Sequence, residues 1–454
     1  MKKLILPFIL LSIAITPSLT HAQSTPSLFD GKTLKGWHRL AGTADYKVEN
    51  GTIVGTTVLN SGNTFLVTDK EYGDFILELD TKIESKLSNS GVQTRSHFDP
   101  AWHNGKGLVY GRQFEIDPSD RRWSGGIYDE GRRDWLYPLD LHEKAKSVFK
   151  VGEYNHIRIE CIGKEMRTWI NGVAIADVVD TVDTKGFIGL QVHAVTKEEQ
   201  AGKKVYFKNL RIKTTNLKFT PFPKDIYTVN LTPNSLSTNE KAAGWKLLYD
   251  GHSNKGWRGA TLTTFPTKGW EYANGTMHVL PSEGKEESGG GDIVTDDLYS
   301  AFDLSFEFKL TPGANSGVKY FVTLSEQTKG SAIGLEYQVL DDKLHPDAKL
   351  GRDGDRTLAS LYDLIPAKKQ ERFVHPIGAW NIGRVVVYPN NHVEHYLNGV
   401  KVLEYERGSK AYKDLVAISK YVVWKNFGEA KEGHLLLQDH GNEVFFRNIK
   451  ARRL

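Results

Sequence analysis

Hydrophobic and polar positions alternate with a period of two through Phe75-Ile-Leu-Glu-Leu-Asp-Thr-Lys-Ile83 and again through Leu304-Ser-Phe-Glu-Phe-Lys-Leu310. That period puts successive side chains on opposite faces and predicts strands with one face buried. His156-Ile-Arg-Ile-Glu160 with Arg167-Thr-Trp-Ile170 predicts a hairpin, as does Arg384-Val-Val-Val-Tyr388 with Glu394-His-Tyr-Leu397. Each set ends on Asn-Gly, at Asn171-Gly172 and Asn398-Gly399, a pair that supplies the positive φ angles of a tight turn. Helical periodicity is confined to short pieces such as Asp140 to Ser147. Many strands, frequent Gly turns and little helix predict a two-sheet sandwich, and periodicity alone does not choose between a jelly roll and other sandwiches.

The pattern is also written twice. Leu28-Phe29-Asp30-Gly31 with Lys35-Gly36-Trp37 answers Leu248-Tyr249-Asp250-Gly251 with Lys255-Gly256-Trp257. Asn89-Ser90-Gly91-Val92 answers Asn315-Ser316-Gly317-Val318, and Tyr128-Asp129 answers Tyr362-Asp363. Gly186 to Lys213 and Gly433 to Leu454 each run through Gln and a His two residues later, then a polar turn, to Phe-Lys-Asn-Leu or Phe-Arg-Asn-Ile. Landmarks in one order predict tandem copies. The expected organisation is a leader at 1–22, a first domain at 23–213, a linker at 214–240 with Pro221, Pro223 and Pro233, and a second domain at 241–454.

Composition narrows the function. A net charge of +4 from 59 basic and 55 acidic residues, with no basic tract interleaved with aromatics, argues against a nucleic-acid partner. Lys2 and Lys3, an apolar run from Leu4 to about Ile15, and Thr20-His21-Ala22 read as a secretory signal peptide, so a soluble periplasmic or secreted protein with no integral membrane segment is expected. Cys161 is the single cysteine and sits in a strand-like run, as a small buried hydrophobe would. The sequence holds no Gly-rich dinucleotide fingerprint, so no nucleotide cofactor is expected.

Leu-Phe-Asp-Gly-Lys with Gly-Trp, Asn-Ser-Gly-Val, a central Glu strand, Trp-Asn at Trp380-Asn381, Leu-Asn-Gly-Val at Leu397 to Val400, and Leu-Gln-Asp-His-Gly at Leu437 to Gly441 resemble the 3-keto-disaccharide hydrolase family. The resemblance covers nearly all of the chain after the leader. It implies an all-β fold of two tandem concanavalin-like jelly-roll sandwiches and, as activity, cleavage of 3-keto-glucosides or 3-keto-disaccharides by elimination and hydration.

That chemistry needs a base for the proton on carbon 2, an electrophile for the enolate oxygen and an acid for the departing oxygen. In the second copy, Glu336 and Gln338 lie two apart on a predicted strand and share its polar face, with Asp341 at its end and Tyr362 and His440 elsewhere. Glu336, Asp341 and His440 are the catalytic candidates there; Gln338 and Tyr362 would bind substrate. The first copy offers Glu115 and His193 for catalysis, and Arg95, Asp117, Tyr128, Trp123 and Trp135 for sugar binding, with Arg95 holding a sugar oxygen or pairing with Glu115. Asp439 beside His440 has no acidic counterpart in the first copy, where Val192 stands. A divalent metal on the sugar oxygens would serve as Lewis acid, although no His-x-His or His-x-x-x-His spacing marks its ligands. Two other readings stay open: a non-catalytic carbohydrate-binding protein, and a laminarinase-type glycoside hydrolase built on Glu115-Ile-Asp117-Pro-Ser-Asp120, where Pro118 would interrupt the strand. Oligomeric state is not legible.

Overall fold

A computed structural model describes residues 26–282, 290–325, 327–328 and 331–454, so the predicted leader lies outside it. The alternating run Phe75–Ile83 is a central strand whose Phe75, Leu77, Leu79 and Ile83 are buried, each contributing about 1.5–3 kcal/mol by leaving water. It pairs with Asn155–Ile162 and Lys204–Lys213 in an eight-stranded sheet. Facing it is a seven-stranded sheet ordered Trp37–Ala41, Thr64–Thr68, Phe187–Val192, Ser90–Asp99, Leu108–Ile116, Ile127–Glu130, Asp134–Tyr137. The second copy repeats the plan, with Phe302–Leu310 central to an eight-stranded sheet. Its facing sheet has five strands, ordered Trp257–Gly259, Ile293–Thr295, His434–Leu437, Asn315–Val322, Leu335–Leu340. The protein is thus all-β, two jelly-roll sandwiches in tandem. Each sandwich encloses its own core, and Trp37, Trp245, Trp257 and Trp270 are buried in these cores as packing residues.

The repeated landmarks have local causes. Asn171-Gly172 and Asn398-Gly399 adopt positive φ at both residues, as tight hairpin turns require. Arg95 and Phe321 each sit at a bulge with φ of 49° and 53°. The glycine that opens each recurring terminal segment lies against this bulge: a Cβ on Gly186 would come within 2.4 Å of the Arg95 backbone, and one on Gly433 within 2.4 Å of Phe321.

The expected linker is more than a spacer. Thr228–Asn230 adds a parallel strand to Val173–Val179 of the first sandwich, and Thr228 and Asn239 both donate to Asp177. A short helix, Thr238–Ala242, follows with Ser237 and Glu240 forming a capping box. The same segment holds the second sandwich: the Tyr227 and Ser305 hydroxyls hydrogen-bond at 3.0 Å, and Glu240 pairs with Lys450, each 1% exposed. From the second copy, Phe373 enters the first copy's core and packs against Trp123 with ring centroids 5.7 Å apart. Among the described residues no helix is long and apolar enough to cross a membrane.

Candidate active site

Three neighbouring strands bring the second copy's polar side chains together. On Leu335–Leu340, Leu335, Tyr337 and Val339 face the core, which turns Glu336 and Gln338 to the other side. Beside it on Asn315–Val322, Lys319 stands opposite Glu336 and Gly317 opposite Gln338. Gln438 and His440 follow the end of His434–Leu437. With Asn315 they line a cavity of about 360 Å³, closed on its other side by Tyr362, Lys420, Tyr421 and Trp424.

Gly317 decides how Glu336 lies. A Cβ there would sit 2.2 Å from the Glu336 Oε1, so only the bare backbone of the Asn-Ser-Gly motif leaves room for the carboxylate. Burial raises the Glu336 pKa, against the pull of Lys319 and Lys420. Burial lowers the Lys420 pKa, against the pull of Glu336. The Lys319 ammonium pairs with Asp292 at 3.3 Å and donates to the Ala332 carbonyl at 3.1 Å. Tyr362 donates its hydroxyl to Asp347 at 2.7 Å, and burial with nearby Glu336 holds its pKa well above the usual phenol value. His440 is half-buried, its ring edge-on to His345 with centroids 5.8 Å apart.

Lys420 comes from a segment the first copy lacks. Arg407 to Gly433 connects strands that Asp180 to Gly186 joins in the first copy. Within it the helix Lys410–Ala417 is capped by Ser409 and buries Tyr412. Next, Tyr421 stacks on Phe427 at 3.9 Å, and the Lys420 N–H donates to Asp363 at 2.7 Å. The ammonium then lies 4.1 Å from the Tyr362 ring centroid.

The first copy builds a related cavity of about 310 Å³ from Gln113, Glu115, Tyr128, Gln191 and His193. Gly91 stands opposite Glu115, as Gly317 does opposite Gln338, so strand register equates Glu115 with Gln338 and Gln113 with Glu336. Carboxyl and amide have exchanged places, and Gln93 takes the position of Lys319. Glu115 accepts from Asn89 at 2.7 Å and from Gln113 at 2.9 Å, and burial pushes its pKa up to about 8. Glu130, held by Asn63 at 3.0 Å, is raised by burial to about 7. Burial lowers the His193 pKa, and its Nδ1 lies 2.7 Å from the Ala194 carbonyl.

Several expected site residues are placed elsewhere. Arg95 is 1% exposed and donates to the Gly73 and Gly163 carbonyls and to Asp74; it braces the bulge and does not pair with Glu115. Asp117 lies past the strand end at Ile116, grips Arg121 at 2.7 Å and does not line the cavity itself, although its charge acts on Glu115 and His193 there. Asp120 lies beyond the strand as well, which breaks the same-face series of carboxylates a laminarinase-type motif needs. Asp341 accepts from the N–H groups of Gly313, Lys343 and Leu344 and caps a turn beside a different cavity. Trp123 is a core residue, whereas Trp135 reaches the first cavity. Asp439 accepts from the N–H groups of Gly290, Gly291 and Gly441, so it braces backbone and forms no side-chain unit with His440; burial raises its pKa to about 6.

Lys319, Lys420, Glu130 and Arg372 escaped the sequence. Lys319 had a signal: it follows Gly317 by two and so shares its strand face. Lys420 and Arg372 lie in connecting segments with no periodicity to read. Among the described residues one group could hold a metal ion, His392, Glu394 and Glu404, whose ligand atoms lie within 4.8 Å of one another. It stands on the hairpin of the facing sheet, apart from the cavity, and the Lys401 ammonium already sits 3.2 Å from Glu394 and 2.6 Å from Glu404.

Known proteins resemble this chain in sequence. A Bacteroides thetaiotaomicron protein named 3-keto-disaccharide hydrolase is 36% identical over 241 residues, which cover 48% of this chain and 82% of that protein. A solved structure from Parabacteroides distasonis, described as a provisional glycosyl hydrolase, is 29% identical with a TM-score of 0.43 and covers 49% of this chain and all of that one. A second from the same organism is 25% identical with a TM-score of 0.36, covering 46% of this chain and 99% of that one. The model of the 3-keto-alpha-glucoside-1,2-lyase-like domain matches residues 25–213 and again 244–452, so the chain belongs to that family through both of its copies.

Proposed function

We propose that the second copy cleaves the glycosidic bond of 3-keto-glucosides or 3-keto-disaccharides. The observation that carries this reading is a buried carboxylate, Glu336, sharing one cavity with two ammonium groups, Lys319 and Lys420. A ketone at carbon 3 acidifies the hydrogen on carbon 2. Glu336, its basicity raised by burial, takes that proton. The electron pair moves toward the carbon 3 oxygen, where the two ammonium groups favour the developing negative charge. As the carbon 1 to oxygen bond breaks, half-buried His440 passes a proton to the departing sugar oxygen, while Tyr362 stays protonated and walls the ring. Water then adds to the resulting double bond, hydroxyl to carbon 1 and hydrogen to carbon 2, which gives the free 3-keto sugar.

The name of the Bacteroides thetaiotaomicron relative and the description of the family both agree with this chemistry. A divalent ion on His392, Glu394 and Glu404 would act on the outer hairpin, so the electrophile in this reading is lysine. We also propose export, on the leader-like residues 1–22 alone. Glucose release from 3-keto-trehalose, compared with substrate carrying deuterium at carbon 2, tests the mechanism. Release slowed by the heavier isotope is expected. No release, with or without added divalent metal, contradicts it.

A further inference from the structure

We propose that the first copy's cavity is a separate binding site for an uncharged pyranoside, completed by Arg372 of the second copy. This does not rest on the keto-sugar chemistry. Gln191 is fully buried and lines this cavity, and neither its side-chain oxygen nor its nitrogen is hydrogen-bonded. The Asn89 Oδ1 beside it is buried without a partner too. Buried amide atoms left unpaired cost free energy, and a ring of hydroxyls, each able to donate and accept, suits a mixed set of this kind.

The cavity's outer side is supplied across the domain junction. Phe373 is anchored in the first copy's core, and the residue before it, Arg372, lines the cavity. Among the described residues no carboxylate pairs with Arg372, so its donors are available to a ligand. Arg121, gripped by Asp117, lies over Trp123 and Trp135 at 4.7 and 5.2 Å and presents a second guanidinium. Glu115 and Glu130 offer carboxyl groups to the same space. With burial raising their pKa values to about 8 and about 7, both present donor and acceptor atoms near neutral pH, which match hydroxyls better than a carboxylate, an acceptor only. With Gln93 in place of Lys319 and no segment equivalent to the one bearing Lys420, this site has, among the described residues, no ammonium to steady an enolate. It recognises the ring without demanding a ketone.

The test is titration calorimetry on the full chain with methyl α-glucoside, trehalose and maltose, and with glucuronate as the charged comparison. None of these is oxidised at carbon 3, so failure of the proposed cleavage would not affect the result. Saturable binding of at least one uncharged sugar is expected, weakened at least tenfold by Arg372→Ala and at least fivefold by Glu130→Ala, with melting curves checking that each variant folds. Lys420→Ala should leave it within twofold. No saturable binding of the uncharged sugars, binding of glucuronate alone, indifference to both first-site variants, or loss in Lys420→Ala would each overturn the proposal.

Discussion

Glu336 and Gln113 occupy the same place on equivalent strands, and so do Gln338 and Glu115, so that carboxyl and amide change places between the two copies. This exchange separates the two cavities chemically. If Glu336 works as a base it must be ionised, and its raised pKa puts the acid limb of kcat/KM above the ordinary carboxylate range. Lys420 must stay protonated, and its lowered pKa puts the alkaline limb below the ordinary lysine range. A pH profile of keto-sugar cleavage should show both limbs, and Lys420→Ala should move the acid limb further up by removing a cation that stabilises the carboxylate. In the first copy, Glu115 has a folded pKa of about 8 against 4.5 when unperturbed. Its contribution to stability is therefore complete below about pH 4.5 and lost as pH rises through 8, a loss on the order of a few kcal/mol. Glu115→Gln should flatten denaturant stability across that window; an equal slope in both proteins would refute the linkage. Strand parity made the faces of Glu336 and Glu115 legible in the sequence. Their exchange was not, because it emerges only when Gly91 and Gly317 fix the register. Arg95 and Asp341 misled because bulges and turn caps employ the same residue types as sugar sites.

At the scale of the element, the Asn-Ser-Gly strand and the segment bearing Lys420 do different jobs. The strand sets a clearance. Gly317→Ala would push its methyl against Glu336, and cleavage should fall at least 100-fold while the melting temperature drops only a few degrees. Gly91→Ala, whose Cβ would lie 2.3 Å from the Gln113 side chain, should leave cleavage within twofold. Steady-state kinetics on both variants decides whether the glycine serves the carboxylate or merely the sheet. The strand-rich plan and its Asn-Gly turns were readable because their periods are short and local. The Lys420 segment was not, since a helix of eight residues followed by a single 3₁₀ turn leaves little pattern and its cavity wall forms only on docking.

For the whole molecule, the junction matters as much as either sandwich. Glu240 and Lys450 are paired at 1% exposure, and removing one partner strands a buried charge at a cost of about 3–5 kcal/mol. Calorimetry of Glu240→Ala should show that loss, and should split a single unfolding transition into two; an unchanged thermogram would mean that the sandwiches unfold independently. The duplication itself was plain in the sequence. The linker's role was hidden, because the parallel edge strand Thr228–Asn230 is three residues long and carries no alternation. On this proposal the two copies divide the labour, with cleavage in the second and recognition in the first. Glucose release from 3-keto-trehalose by the native protein, Glu336→Gln and Glu115→Gln, assayed side by side, tests it most directly. A loss of at least 1,000-fold is expected in Glu336→Gln and a rate within threefold of native in Glu115→Gln; the reverse order, or no release by the native protein, would overturn this assignment.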